Sequence, residues 1–343
     1  LPRRRSVRGL ICEWAVCVPK PKVLLTDYAW PDVEIERAVL AAAGAELVVA
    51  EHADEDSLAQ LAARESVAGI MTNWATVTAR VIFASQRLRI VARTGIGLDN
   101  IDVSAATSRR VLVTNVPDYC LIEVAEHTLA LVLALGRKIA HYHVQTKAGT
   151  YRLQGSPPLR RLQGQTLGLV GLGNIGRMVA DKAQALGLRV VAHTRTPAAE
   201  IAGVPWRSLD ELLAESDFVS LHVPSTLATR QMIGPRELRL MKPTAYLINT
   251  ARGALVDHQA LAAALAAGQL AGAGLDVQDP EPPDLFSPPW NDPRVIVTPH
   301  AAFASAESLA DLRRRSAEQV ADCLAGRQPA NIVNRAALDG SGG

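Results

Sequence analysis

The run Thr166-Leu167-Gly168-Leu169-Val170-Gly171-Leu172-Gly173-Asn174-Ile175-Gly176 decides how the rest of the chain is read. An apolar strand, Thr166–Val170, leads into a G-x-G-x-x-G turn. Ile175–Leu186 then has helical spacing, Gly187 closes it, and Leu188–Ala192 supplies a second strand. Alone, such a glycine pattern is a weak signal. In a strand–turn–helix–strand unit each glycine has its own role. Gly171 makes the tight turn, Gly173 allows close approach to a pyrophosphate, and Gly176 lets helix lie against strand. The helix start offers free N–H groups and the positive end of a dipole. A dinucleotide site at Gly171, Gly173, Asn174, Ile175 and Gly176 is the expectation, a purely structural turn the alternative.

Working outward, the same alternation continues in both directions. Toward the N-terminus, Val23–Leu25, Leu47–Ala50, Ile70–Met71, Ile90–Ala92 and Val111–Val113 read as buried strands. Between them lie helical segments at Val33–Ala43, Ser57–Ala63, Val77–Ala84 and Val103–Ser108, with Asp32, Asp56 and Asp102 as N-caps. A single uninterrupted helix is expected over Leu121–Lys147, bridging domains or lining a subunit interface. Tyr151–Arg161, with Gly155, Pro157 and Pro158, reads as a loop. Toward the C-terminus, strands are expected at Phe218–Leu221, Ala245–Ile248, Gly274–Val277 and Val295–Val297. The fold class is α/β, with two open parallel-sheet domains.

Composition agrees. A chain of 343 residues, 48% hydrophobic and 4% aromatic, suits two domains of helices packed on parallel sheets. The net charge of +2 hides a basic N-terminus. Residues 1–22 contribute +5 through Arg3, Arg4, Arg5, Arg8, Lys20 and Lys22 against Glu13, leaving −3 for the body. No nucleic-acid partner is implied. Residues 1–21 faintly imitate a signal peptide, but Glu13 interrupts the apolar stretch and no A-x-A site follows. They are read as a disordered or mis-assigned leader. Cys12, Cys17, Cys120 and Cys323 form no pair with zinc spacing, so reduced thiols, no metal and a cytoplasmic location are expected. No apolar run approaches a membrane span. His141 and His143, two apart on a helix, do not share a face, so they read as surface.

Position also singles out three polar residues. Arg252, Glu281 and His300 each lie just past the carboxyl end of an expected strand, where ligands sit in open α/β sheets. A ketone reduction needs a proton for the developing alkoxide, and histidine titrates near neutral pH. A carboxylate beside the imidazole favours its protonated form and fixes its tautomer. Arginine can hold a substrate carboxylate through two donors. Taken singly, each could be a surface ion pair or a satisfied loop residue.

Several ordered motifs add a resemblance. They are Arg93-Thr94-Gly95-Ile96-Gly97-Leu98-Asp99-Asn100-Ile101-Asp102, the G-x-G-x-x-G, Leu221-His222-Val223-Pro224, Ile248-Asn249-Thr250-Ala251-Arg252-Gly253, Gly274-Leu275-Asp276-Val277 and Thr298-Pro299-His300. Over residues 22–335 the chain resembles the D-2-hydroxyacid dehydrogenase family. The resemblance implies a flavodoxin-like substrate domain at 22–117 plus 303–337, with a Rossmann coenzyme domain, 118–302, inserted into it, and a cleft separating the two. It implies Arg252, Glu281 and His300 as the catalytic set. His222, Pro224, Thr229, Thr250, Ala251 and Asp276 would lie on the coenzyme, although a structural role at the strand end remains open for Asp276. The N–H groups of Ile96 and Gly97, with Arg252 and His300, would bind substrate; a tight turn is the alternative for the glycine. Gln278 departs from the aromatic residue usual after Leu-Asp-Val.

The substrate is less legible. Phosphoglycerate dehydrogenases of the family carry an Arg-Ser pair where this chain has Asn73-Trp74, and many add a C-terminal regulatory domain that is lacking here. Formate dehydrogenases carry Gln in place of Glu281. A small 2-keto acid of glyoxylate or hydroxypyruvate type is the expectation, in a homodimer joined through the coenzyme domain and Leu121–Lys147. Val116-Pro117-Asp118-Tyr119-Cys120 and the following helix also resemble the C-terminal-binding-protein branch, so a nucleotide-sensing corepressor-like protein is the alternative. At the end of the second strand the NAD type has Asp or Glu. Here the run is His193-Thr194-Arg195-Thr196, so Thr194 and Arg195 favour NADP, with NAD as the other possibility.

Overall fold

A computed structural model of the chain describes residues 19–154, 158–196, 200–201 and 203–337. The leader up to residue 18, with Cys12 and Cys17, and Gly155 and Pro157 of the expected loop lie outside the described residues. The chain divides into two compact units: one takes it as far as Val116 and again from Arg313, the other is Pro117–Leu312.

In the first unit the strands are β1 (Lys22–Leu25), β2 (Glu46–Val49), β3 (Gly69–Thr72), β4 (Ile90–Arg93) and β5 (Leu112–Thr114). They form one parallel sheet in the order β2-β1-β3-β4-β5, the flavodoxin-like order. Their apolar runs are unbroken because both faces are covered. One face packs against α2 (Glu55–Glu65), α3 (Ala79–Ala84) and α4 (Val103–Ser108) through Leu58, Ile82 and Ala106. The other packs against α1 (Glu34–Ala42) through Leu40, and against Ala317 and Val320 of the C-terminal segment. Asp102 caps α4 as expected, accepting from the Ala105 N–H at 2.9 Å. The other two caps are corrected. Asp54, not Asp56, caps α2, since its carboxylate is the one that reaches the Ser57 N–H, at 2.9 Å. Val33 stands at the α1 cap, and Asp32 accepts from the Glu34 N–H and from Arg313 instead.

The second unit opens with α5 (Leu121–Gly136) and α6 (Ile139–Lys147), so the single helix expected over Leu121–Lys147 is two. Gly136 is the last residue of the first, and Leu162 and Phe218 close on the space a side chain there would fill. Lys138 then turns left-handed, φ 52°, and its amine reaches the Tyr246 hydroxyl at 3.0 Å. There follow β6 (Thr166–Val170), α7 (Asn174–Ala185), β7 (Arg189–His193), and a short antiparallel ribbon of β8 (Glu200–Ile201) and β9 (Val204–Pro205). Next come α8 (Leu209–Glu215), β10 (Phe218–Leu221), α9 (Pro235–Leu240), β11 (Tyr246–Asn249) and α10 (His258–Ala266). The last strands are β12 (Gly272–Leu275) and β13 (Val295–Val297). The six long strands form a parallel sheet in the order β13-β12-β11-β10-β6-β7. The expected strand at Gly274–Val277 begins two residues earlier and ends at Leu275, although the Asp276 N–H still donates to the Asn249 carbonyl of β11 at 2.9 Å. The order reverses between β6 and β10, and ligands of open sheets sit outside the strand ends at such a reversal. α5 and α7 cover one face of this sheet, α8, α9 and α10 the other. The last helix, α11 (Ala306–Leu324), contains the division between the units.

Candidate active site and coenzyme site

All three polar residues picked out by position lie in the second unit, beyond the carboxyl ends of β11, β12 and β13. The Nδ1–H of His300 donates to Glu281 Oε2 at 2.9 Å, which leaves Nε2 as the nitrogen able to exchange a proton. Phe303 lies edge-on to the imidazole, 6.0 Å between ring centres. The other Glu281 oxygen accepts the Gln278 N–H at 2.8 Å. Burial pulls the Glu281 carboxyl upward, but His300, the Gln278 N–H and the charge of Arg252 together hold it below its ordinary value. Arg252 is thus close enough for its charge to act on Glu281. Its own peptide is fixed by Asn249, whose Nδ2 donates to the Arg252 carbonyl at 2.8 Å.

The departure at Gln278 is resolved in physical terms. Its buried amide donates to the carbonyls of Leu275 and Thr298, at 3.2 and 3.3 Å. It therefore stitches the ends of β12 and β13 together, which no aromatic side chain could do.

The glycine turn fits a dinucleotide phosphate. At Gly171, φ +102°, an added Cβ would stand 2.4 Å from the His222 carbonyl oxygen; at Gly176 it would stand 2.4 Å from that of Gly171. These two are packing glycines. At Gly173 a Cβ would meet nothing within 4 Å, and no side chain caps the helix that begins at Asn174. The turn is an open cradle lined by the N–H groups of the first helical turn, with Ile175 in it.

The remaining expected coenzyme residues fall around the same sheet edge. His222, at the end of β10, bonds Ser220 Oγ through Nε2 at 2.9 Å, and burial pushes its imidazole down to about 4, so the ring is neutral at pH 7. Thr229 donates to the Pro224 carbonyl at 2.7 Å and accepts the Thr226 N–H at 2.8 Å, closing that loop on itself. Thr250 meets Thr128 hydroxyl to hydroxyl at 2.9 Å, and the Ala251 N–H donates to Asn249 at 3.0 Å. Thr194 follows β7 with its hydroxyl donating to the Thr196 carbonyl at 2.9 Å; Arg195 beside it is exposed. Asp276 stands apart. Its carboxylate is fully buried and accepts from Thr298, Ala301 and Ala302, which is the strand-end role left open by the sequence.

Ile96 and Gly97 belong to the first unit. Their carbonyls accept from Asn115 at 2.8 Å and Arg93 at 3.0 Å, which sets the orientation of both peptides. Gly95, not Gly97, is the residue with the glycine-type backbone, φ +155°. In the same unit Asp27 receives the N–H groups of both Asn73 and Trp74, at 3.0 and 2.7 Å, and so fixes that loop.

Residues 129–302 match the family model described as D-isomer specific 2-hydroxyacid dehydrogenase, NAD binding domain. A glyoxylate reductase of Aeropyrum pernix is 42% identical over 258 residues, 73% of this chain and 77% of its own length. The chain belongs to the D-isomer specific 2-hydroxyacid dehydrogenases. It is an NAD(P)-linked oxidoreductase of 2-hydroxy acids, and nothing in these matches supports the corepressor-like alternative. A D-3-phosphoglycerate dehydrogenase of Mycobacterium tuberculosis is 40% identical over 92% of this chain, which spans 59% of that relative. Among solved structures, the NADPH-dependent glyoxylate/hydroxypyruvate reductase of Sinorhizobium meliloti, in complex with NADP and malonate, superposes with a TM-score of 0.79. It is 31% identical, over 92% of this chain and 97% of that one.

In this dehydrogenase two contributors escaped the reading of the sequence: Asp27, and His127, which is bonded through Nε2 to Thr298 Oγ1 at 3.0 Å. Both act on residues far along the chain, Asp27 on Asn73 and Trp74 and His127 on Thr298, and no local pattern announces that. Among the described residues no metal-binding cluster is present, and no helix is long and apolar enough to cross a membrane. Cys120 and Cys323 are buried free thiols, and burial pushes Cys120 up to about 12, so it is not a nucleophile at neutral pH.

Proposed function

We propose that this dehydrogenase reduces a small unphosphorylated 2-keto acid, of glyoxylate or hydroxypyruvate type, with NADPH preferred over NADH. Where the product is chiral it is the D isomer. The observation that carries the reading is the 2.9 Å His300–Glu281 pair, with Arg252 just past the end of β11, the strand beside β12. The dinucleotide, held by the Gly173 cradle, supplies the hydride. His300 Nε2 gives its proton to the oxygen on which charge develops, and Glu281 stabilises the imidazolium and holds its orientation. Arg252 holds the substrate carboxylate through its planar fork. A second carboxylate-binding element at Ile96 and Gly97, and a substrate-binding role for the first unit, belong to the same proposal. So does the choice of an unphosphorylated substrate. Asn73 and Trp74 stand where a phosphate-binding Arg-Ser pair would, and Trp74 is half exposed beyond β3.

The coenzyme preference rests on the end of β7. An aspartate there would repel a 2′-phosphate by roughly 4 kcal/mol at about 4 Å in an effective dielectric near 20. Thr194 removes that repulsion, and exposed Arg195 adds a permanent positive charge. The test is kcat/KM with each reduced coenzyme over a panel of 2-keto acids, phosphorylated ones included, for wild type, Thr194→Asp and His300→Ala. NADPH is expected to be preferred, Thr194→Asp to move the ratio toward NADH, and His300→Ala to lower kcat about 10²–10⁴-fold. A tenfold preference for NADH, or a ratio unmoved by Thr194→Asp, contradicts the coenzyme reading. A phosphorylated keto acid as the best substrate contradicts the substrate reading.

A further inference from the structure

His300 has φ 52°, a left-handed backbone that is uncommon and costly for a residue other than glycine. The constraint on it is Asp276. The His300 N–H donates to the Asp276 carbonyl at 2.7 Å. The next two N–H groups, of Ala301 and Ala302, donate to its two carboxylate oxygens at 2.8 and 2.9 Å. Three consecutive peptides thus converge on one residue. Thr298 gives its single hydroxyl proton to Asp276 Oδ1 at 2.6 Å. The hydroxyl can then only accept from His127, whose Nε2 lies 3.0 Å away and must carry the proton. That same nitrogen is 3.6 Å from Asp276 Oδ1. The neighbouring residue on α5, Thr128, makes the corresponding tie to Thr250, two residues before Arg252.

We propose that His127 is a positioning residue for the reaction: through Thr298 and Asp276 it holds the loop that carries His300 in its strained, productive backbone. None of these atoms belongs to the glycine cradle. Loosening the loop therefore acts on proton transfer more than on coenzyme binding, and small misplacements of a reacting group are costly. The inference rests on the reading of His300 as the acid/base.

The experiment measures kcat, KM and coenzyme Kd for His127→Leu, His127→Gln, Thr298→Val and the double variant His127→Leu/Thr298→Val, with His300→Ala in parallel. His127→Leu is expected to lower kcat about tenfold with coenzyme Kd within about twofold of wild type. The Gln amide, able to donate to the same hydroxyl, should recover most of the loss. Thr298→Val should reproduce it, and the double variant should be no worse than Thr298→Val alone. Should the Leu variant fail to fold, His127→Asn, polar but too short to reach Thr298, reads the same loss. A Leu or Asn variant within twofold of wild-type kcat, Gln no better than Leu or Asn, or additive losses in the double variant would overturn the inference. An active His300→Ala would overturn the acid/base reading itself. An inactive His300→Ala beside a fully active His127→Leu would overturn only the role of His127.

Discussion

Glu281 shows how far single residues explain the site. Its folded-state pKa is lowered although burial alone would raise it, so bonds to the charged form outweigh desolvation. The sign follows. Stability from these bonds is fully present above the unfolded value, about 4.3, and is lost as pH falls through the depressed folded value. Glu281→Gln removes that contribution and can present its amide to Nδ1 in place of a carboxylate oxygen. It is therefore expected to lower kcat at pH 7 by about 10²-fold. Its stability should also depend less on pH than that of wild type between pH 7 and 3. Steady-state kinetics and urea unfolding at both ends of that range check this. Parallel stability curves for the two proteins would contradict it.

At the scale of elements, the β6–α7 turn separates binding from folding. Gly173→Ala adds a methyl to open space, so the midpoint of thermal unfolding should stay within a degree or two while coenzyme affinity drops at least tenfold. Gly176→Ala drives a methyl to 2.4 Å from the Gly171 carbonyl and should destabilise the unit by about 1–3 kcal/mol. Calorimetry with a coenzyme titration reads both, and equal effects from the two substitutions would contradict the assignment. The same turn shows what a sequence makes legible. Apolar runs such as Leu167–Val170 and Phe218–Leu221 are local, and their burial on both faces of a parallel sheet follows from their own composition. The polar residues past the strand ends were visible for the same reason. The choice between Asp54 and Asp56 as cap depends on which carboxylate geometry reaches the Ser57 N–H, and composition does not contain that. The break comes at Lys138, whose amine meets the Tyr246 hydroxyl, a partner far along the chain. His127 is invisible in the same way, since its partner is a hydroxyl 171 residues along the chain; Gln278 is visible as a departure from the family pattern, but its bonds to the Leu275 and Thr298 carbonyls are not.

For the whole molecule, α6 is the element the fold of its own unit does not account for. None of its nine residues is buried. Ile139 and Val144 on it, and Tyr151 and Leu153 just beyond, are exposed apolar side chains within one short stretch of chain. Helices of this length are marginal in water without an apolar face to pack. The occupant we propose is a second copy of this chain, in a two-fold arrangement where one patch meets itself. A net charge of only +2 does little to oppose such self-association. If each of Ile139 and Val144 contributes about 1.5 kcal/mol on burial, the four copies in a symmetric dimer contribute about 6 kcal/mol, a more than 10⁴-fold change in Kd. Sedimentation at micromolar concentration should therefore find wild type as a dimer and Ile139→Glu/Val144→Glu as a monomer. The variant's core is untouched, because both positions are exposed within the protomer, so its far-ultraviolet circular dichroism should match wild type. A monomeric wild type, or a variant that still sediments as a dimer, would rule out this face as the interface.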